Sequence, residues 1–313
     1  MNLRDTAAVV QTGKGAEVVV VGRMLVITIV AAPIFFTGCS EPDTTPSPTF
    51  VVTIEPLAMI LAELVGDPAE VVALVPRGAS PHLYDLRPSG ARMAETSSAL
   101  FYIDDRVDGW AARVSAPRKF SVFEMVPELF KKRAAHAPRE DDSRLVYNPH
   151  FWTDPLTVLE VLPHLVAALE EVNPNGRSLY ESMGERFSSD LARLDAEIEM
   201  TLRSFEGTGI VVFHPSWAYF LDRYGIETVS VLEPFPGMEP TPRYLKDVID
   251  TARMKGAKVV ITEPQLPARP AELVAEAAGL AIVELDPLGG PVGGATYAEW
   301  LLGIAHTLRE ALE

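Results

Sequence analysis

The 313-residue chain has a single cysteine, Cys39, so it can form no intramolecular disulfide. Positive charge is also scarce: 27 lysines and arginines stand against 43 aspartates and glutamates, which gives a formal net charge of −16. A surface of this sign can neither neutralise phosphates nor form a polybasic contact with lipid. The charge therefore argues against nucleic acid and anionic lipid headgroups as partners.

The N-terminal apolar run, Met24 to Phe36, is too short to span a bilayer comfortably. It follows Arg23, and it precedes the segment from Thr37 to Ser40, where small residues lead up to Cys39. This arrangement is typical of a secretory signal that ends in a lipobox. It places the only thiol of the chain where a diacylglycerol group is attached after cleavage.

We therefore predict a signal peptide at 1–38 and a lipidated, proline-rich tether at 39–48. The protein is then extracytoplasmic and is anchored to the cell membrane through Cys39, or it is periplasmic. An uncleaved membrane anchor with an incidental thiol is the alternative. Met24 is a second candidate for the start of the chain in place of Met1.

The chain also lacks the motifs of common enzyme classes. It contains no His-Glu-x-x-His helix, no Gly-x-Ser-x-Gly elbow and no phosphate-binding loop. The segment 289–294 is rich in glycine, but it contains a proline and follows Asp286, so it is predicted to be a loop and not a dinucleotide cradle. These absences favour a binding protein over an enzyme.

What the chain does have, after residue 49, is a regular alternation of apolar strand-like runs and helical stretches. Such alternation predicts an α/β fold in which mainly parallel sheets are flanked by helices. The pattern occurs on both sides of a long helix, so we predict two lobes, at 49–175 and 207–313. Strands are expected at 50–53, 71–75, 99–103, 121–123, 209–213, 228–232, 258–262 and 281–285, and helices at 57–65, 156–169, 217–224, 244–255, 270–278 and from 297.

The helix between the lobes is predicted at 176–206. Its apolar residues recur at steps of three and four from Leu179 to Phe205. Residues 173–175 are expected to begin it and Gly207 to end it. At about 1.5 Å per residue it would be roughly 45 Å long, so we interpret it as a rigid spine that joins both lobes. An ordinary long helix buried in one domain is the alternative.

Four residues with metal-binding side chains occur in loops beside strands or helices. Ligands of parallel sheets bind beyond the carboxyl ends of the strands. Two candidates precede the predicted spine and two follow it, as expected for one metal ion held between lobes. The candidates are His82 after strand 71–75, His150 after Pro149, His214 after strand 209–213 and Asp286 after strand 281–285. The remaining histidines are interpreted as structural or exposed: His136, His164 and His306.

These residues and their surroundings resemble the metal-binding solute-binding lipoproteins of the zinc/manganese ABC-importer family, from about Phe50 to the end. The resemblance implies that His82, His150, His214 and Asp286 are the metal ligands. It also implies an extracytoplasmic receptor, and not an enzyme, that captures a divalent transition metal and delivers it to an ABC permease. The matching segments are 80–84, 148–155, 213–214, 236–242, 262–265 and 285–288.

The chain departs from the family pattern near the candidate ligands. The family usually has aspartate where this chain has Asn148 and leucine where it has Thr153. Neither residue is expected to bind the metal directly, so these differences concern the tuning of the site. The stretch 131–144 carries only His136, so the histidine-rich loop of zinc-specific relatives is absent or vestigial.

The donor set predicts the metal. Imidazole nitrogens suit zinc, whereas manganese more often recruits oxygen donors, so Zn²⁺ is the predicted cargo and Mn²⁺ and iron are the alternatives. Coordination through both oxygens of Asp286 would favour manganese.

A metal-dependent hydrolase also stays open as an alternative function, although four protein ligands leave no position for a catalytic water. Because coordination requires neutral rings, zinc affinity is expected to fall below about pH 6.5.

Overall fold

The computed structural model describes residues 47–67, 69–133, 147–234, 237–290 and 295–313. The predicted signal peptide at 1–38, the predicted lipidation site Cys39 and nearly all of the predicted tether at 39–48 lie outside the described residues, and so does His136. Within the part of the chain that the structure describes, no helix has the length and apolar character that a bilayer crossing requires.

Two four-stranded sheets, each entirely parallel, form the centre of the fold. The strands are β1 Thr49–Val52, β2 Glu70–Ala73, β3 Ala99–Tyr102, β4 Lys119–Ser121, β5 Gly209–Val212, β6 Glu227–Val231, β7 Val259–Thr262 and β8 Ala281–Glu284. The sheet orders are β2-β1-β3-β4 and β6-β5-β7-β8, so the two sheets have the same topology. Because the strands of a sheet all run the same way, the loops after their carboxyl ends share one edge.

The central strands are buried, and their sequences show why. All four residues of β5 and of β7 are buried, and both strands are almost continuous runs of apolar or β-branched residues. Such runs are expected of parallel strands that are covered by helices on both faces. The helices are α1 Glu55–Val65, α2 Pro88–Thr96, α3 Asp105–Asp108, α4 Pro155–Val172, α5 Arg177–Leu202, α6 Ala218–Arg223, α7 Pro242–Lys255, α8 Arg269–Ala278 and α9 Tyr297–Leu312.

Helix α5 is the predicted spine. Its 26 residues span about 39 Å, and a short 3₁₀ turn adjoins each end, at 174–176 and 203–205. It packs against α1, which follows β1, and against α9, which packs on β8. The rings of Phe187 and Tyr297 meet edge to face with centroids 6.2 Å apart. The helix therefore shares its buried face with elements of both halves of the chain.

The predicted fold class is confirmed: two lobes with parallel sheets flanked by helices are joined by one long helix. Helix α2 was not predicted because it is largely polar, and only Ala94 is buried in it. Strand β4 lies two residues earlier than expected. Asn173 does not cap α5 through its side chain, since its Nδ2 donates to the Tyr180 hydroxyl instead. Gly207, with φ of +77°, does follow the helix as expected.

Candidate metal centre

The three histidines of the predicted site all lie in or beside short 3₁₀ turns. His82 is in the turn 81–83 of the loop after β2, His150 precedes the turn 151–153, and His214 precedes the turn 215–217 after β5. A turn that starts beside a proline fixes the backbone direction locally, because proline holds φ near −65°. The prolines therefore restrict the backbone of the loop that carries each imidazole.

The structure brings these three imidazoles together. One ring nitrogen from each lies within 4.8 Å of the others. The Nε2 atoms of His82 and His150 are 3.4 Å apart. The ring centroids are separated by 5.1 Å for His150 and His214, 5.3 Å for His82 and His214, and 5.5 Å for His82 and His150. Such distances suit three donors to one small cation.

Each imidazole is oriented by an oxygen atom that contacts its Nδ1. The acceptors are the Arg106 carbonyl oxygen for His82 at 2.9 Å, the Asn148 side-chain oxygen Oδ1 for His150 at 2.8 Å, and the Glu233 carbonyl oxygen for His214 at 3.2 Å. Because an oxygen of this kind only accepts, each Nδ1 must carry the proton. The lone pair of each ring is therefore on Nε2, which is the arrangement that metal-binding histidines adopt.

Within the described ranges, the Nε2 lone pairs have no donor that satisfies them. His214 Nε2 is buried and has no hydrogen-bond partner among the described residues. The His82 and His150 Nε2 atoms face each other, and two lone pairs at this distance repel. Buried polar atoms without partners are rare because they cost free energy. A cation at the common point would satisfy all three.

Burial keeps the three rings neutral. Desolvation lowers the pKa of His82, although its contact with the Arg106 carbonyl acts in the opposite direction. It lowers the pKa of His150 well below the ordinary value, and the neighbouring histidines add to the effect. It lowers the pKa of His214 to about 3. The rings are thus ready to coordinate without first losing a proton, so proton competition is displaced to lower pH than the sequence indicated.

Asp286 is near this cluster but does not belong to the group of ligand atoms within 4.8 Å. It follows β8 after one intervening residue, Leu285, and it is partly buried. Its Oδ1 accepts hydrogen bonds from Gln265 Nε2 at 2.7 Å and from the Leu288 backbone N–H at 2.9 Å. The carboxylate is therefore held by its own loop and by Gln265, which lines the cavity at the imidazoles.

The backbone beside Asp286 is fixed by two tryptophans. Trp300 Nε1 donates to the Asp286 carbonyl at 3.1 Å, and Trp152 Nε1 donates to the Pro287 carbonyl at 2.9 Å. Trp152 is two residues after His150, and the two rings are 5.1 Å apart. The loops that carry His150 and Asp286 are thus joined directly by a buried indole.

The cavity at the imidazoles encloses about 30 Å³, which is space for an ion or a water molecule. Organic ligands occupy pockets of roughly 300 Å³ or more. Its walls include Pro81, Leu83, Trp152, Leu266, Pro287 and Leu288, together with Ser216, Glu263 and Gln265. A small, mainly apolar cavity with converging nitrogens can hold one desolvated cation.

Glu263 is a buried acid in the cavity wall. Its Oε1 accepts a hydrogen bond from the Ser216 hydroxyl at 2.5 Å. Desolvation raises its pKa to about 8, and the charges of Asp286 and Glu233 act in the same direction. The group is therefore largely protonated at neutral pH while the site holds no cation.

The residues that orient the ligands carry no recognisable signal in the sequence. Arg106 contributes through its backbone, and its guanidinium is fixed by Asp104, with Nε donating to Oδ2 at 2.7 Å. A backbone acceptor leaves no compositional signal, so only the fold shows it. Asn148, which departs from the family pattern, orients His150 through its side-chain oxygen. The two other described histidines, His164 and His306, are exposed on α4 and α9, away from the cluster.

The fold and the buried imidazole cluster define a class: a two-lobed protein that binds a metal ion as its ligand. Comparison with known proteins then gives the family. Residues 50–311 match the family described as the periplasmic component A of the zinc-uptake complex, ZnuA. The chain belongs to this family, whose members are extracytoplasmic metal-binding components of ABC importers. They are not enzymes, so the expectation of a binding protein is confirmed.

Individual relatives agree with the family match over nearly their whole length. A Thermotoga maritima protein assigned as metal-binding is 28% identical over 268 residues, which is 85% of this chain and 93% of that protein. A crystal structure of ZnuA is 26% identical with a TM-score of 0.69, over 85% of this chain and all of that one. The Pseudomonas aeruginosa protein FpvC, solved with Mn²⁺, is 24% identical with a TM-score of 0.73, over 85% of this chain and 98% of its own, and shares the fold.

Proposed function

We propose that this protein is the receptor of a zinc importer, and that it binds one Zn²⁺ in the cleft between its lobes. The proposed metal ligands are His82, His150, His214 and Asp286. The convergence of three histidine ring nitrogens, two of them from buried residues, on a cavity of about 30 Å³ is the observation that supports this most strongly. The lobes at 49–175 and 207–313 each provide two ligands, and the spine at 176–206 fixes their separation.

The same geometry supports zinc over the alternatives. Three imidazole nitrogens and one carboxylate oxygen complete a tetrahedral site of the kind that zinc prefers. Manganese and iron remain alternative cargoes. The affinity for manganese would increase most if Asp286 bound through both oxygens. With four protein ligands there is no open position on the ion, which is appropriate for capture and release of a cargo.

Asp286 is proposed to reach the ion through a small approach of the two lobes. The tryptophan contacts hold its backbone, and no donor among the described residues reaches its Oδ2. A cation between the lobes would attract this free oxygen and draw the carboxylate and the imidazoles together. Release to the permease would follow from the reverse movement, which the long α5 helix restricts to a small tilt.

The receptor is proposed to work beside its permease, because Cys39 carries a lipid anchor after removal of residues 1–38. A Cys39→Ser variant should then be released from the membrane fraction while its metal content is unchanged. Retention of that variant in the membrane would show that another segment holds the protein there.

Metal analysis of protein purified without chelator tests the function directly. Wild-type protein should contain close to one zinc per chain. His214→Ala should lose the metal, because it removes one of three preorganised donors, and cells that carry it should no longer grow at limiting zinc. His164→Ala, which removes an exposed imidazole from α4, is the matched control and should retain both properties. Equal zinc content in the two variants would contradict the proposed ligands.

A further inference from the structure

The Asp286 carboxylate is asymmetric in its hydrogen bonding. Oδ1 accepts two hydrogen bonds, from Gln265 Nε2 at 2.7 Å and from the Leu288 N–H at 2.9 Å. Oδ2 accepts none from the described residues. A carboxylate oxygen offers about two lone-pair directions, so both of those on Oδ1 are in use. Only Oδ2 is free to coordinate a cation.

Gln265 holds Asp286 Oδ1 from the cavity wall. It lies in the loop after β7 and lines the cavity beside the imidazoles. Its amide can present only the nitrogen to Asp286, because the opposite orientation would set two acceptor oxygens against each other. Its Oε1 is buried and has no partner among the described residues. An unpaired buried carbonyl costs free energy, so the favourable interaction of this side chain is the one made by Nε2.

We infer that Gln265 is a specificity-determining residue: by holding Oδ1, it limits Asp286 to one coordinating oxygen and so favours zinc over manganese. This inference rests on the proposed function. One oxygen and three nitrogens give the four-coordinate site that suits zinc. Manganese prefers oxygen donors and a higher coordination number, which a carboxylate bound through both oxygens would supply.

The test is the variant Gln265→Met, which keeps the length of the side chain but removes its donor. One lone pair of Oδ1 is then free, so the carboxylate can bind through both oxygens. Competition between Zn²⁺ and Mn²⁺ should show the affinity ratio shifting toward manganese by about tenfold, in the range expected for residues that orient a metal ligand. Thermal unfolding of the metal-free protein establishes that the variant is folded.

Cobalt substitution gives a readout that a merely structural defect would not produce. Wild-type protein loaded with Co²⁺ should show the intense visible absorption of four-coordinate cobalt, and Gln265→Met should show the weaker bands of a five-coordinate ion. Asn173→Leu is the matched control, because it also removes a side-chain amide donor, in this case the donor to the Tyr180 hydroxyl, and Asn173 does not line the cavity. This variant should keep the wild-type ratio and spectrum.

Two results would overturn the inference while the proposed function stands. One is a five-coordinate cobalt spectrum of the wild-type protein. This measurement does not depend on whether any variant folds. The other is a folded Gln265→Met protein with the wild-type metal ratio and spectrum. Wild-type protein that binds neither zinc nor manganese would instead overturn the proposed function, and this inference with it.

Discussion

The two lobes share a sheet topology, and in each a candidate ligand is supported by a segment that follows another strand of the same sheet. In the N-terminal lobe the short helix α3, which follows β3, supplies the Arg106 carbonyl to His82, which follows β2. In the C-terminal lobe the loop after β7 supplies Gln265 to Asp286, which follows β8. The difference lies in the supporting group: one is backbone and the other is a side chain.

This difference extends to the whole site. His82 and His214 are oriented by backbone carbonyls, whereas His150 and Asp286 are oriented by the side chains of Asn148 and Gln265. Substitution cannot remove a backbone carbonyl, but it can change an amide side chain. The two side-chain supports should therefore be the positions where affinity and metal preference are tunable.

The largest effect in this comparison is expected for Asn148→Ala. The variant removes the acceptor for His150 Nδ1 and the hydrogen bond from Asn148 Nδ2 to the Pro215 carbonyl, 2.7 Å long, which joins the loops of His150 and His214. Zinc affinity, measured by competition with a chelating dye, should fall about 10- to 100-fold. Asn148→Asp keeps the acceptor and should retain more affinity than Asn148→Ala; equal losses in both would contradict this role.

Histidine protonation should contribute little to the pH dependence of zinc binding. Three rings with a pKa of 6.5 would each lose roughly fourfold in effective concentration of the neutral form at pH 6. Because burial lowers the pKa of all three rings, protons compete for them only at lower pH. In a Glu263→Gln variant, which removes the other titrating group of the cavity, zinc affinity should therefore change by less than the combined effect of three such rings between pH 8 and pH 6. A steep fall centred on pH 6.5 in that variant would show that the rings are not desolvated in solution.

Zinc binding near pH 7 should release up to about one proton per ion. The Glu263 carboxyl group is the source of that proton. The pKa of this carboxyl group is about 8 in the metal-free protein, so it is mostly protonated at pH 7. A divalent cation in the same cavity favours the charged form and lowers that pKa, so the proton leaves. Calorimetry in buffers of different ionisation enthalpy counts it. Glu263→Gln should abolish the release, and an undiminished release would point to the histidines.

The smallest effect is expected for Glu233→Gln. This substitution leaves the backbone carbonyl that accepts from His214 Nδ1, and the amide oxygen can still accept from the Gly237 N–H, which the carboxylate contacts at 2.6 Å. Zinc affinity should stay within about threefold of wild type by the same dye competition. A loss as large as that of Asn148→Ala would remove the distinction between backbone and side-chain supports.

The sequence predicts much of the fold because its strands and long helix carry strong periodic signals. The strands β5 and β7 are uninterrupted apolar runs, and α5 shows apolar residues at steps of three and four. Helix α2 escapes prediction because it is polar and lies on the surface. Apolar periodicity in a sequence reflects which residues are buried, so an element with little buried surface shows little periodicity.

For the site, the sequence indicates which residues have metal-binding side chains but not how they are held. That His82, His150 and His214 lie together was expected, and the structure brings them together. The separation of Asp286 from that group and the roles of Arg106 and Gln265 depend on loop conformations that no sequence pattern encodes. The lowered pKa of the rings likewise depends on burial by distant segments.

The most direct test of the central claim is X-ray absorption spectroscopy at the zinc edge of the loaded protein. The account predicts three imidazole nitrogens at about 2.0–2.1 Å and a single carboxylate oxygen, with no bound water. Fewer than three imidazoles, or a six-coordinate shell of oxygen donors, would contradict it.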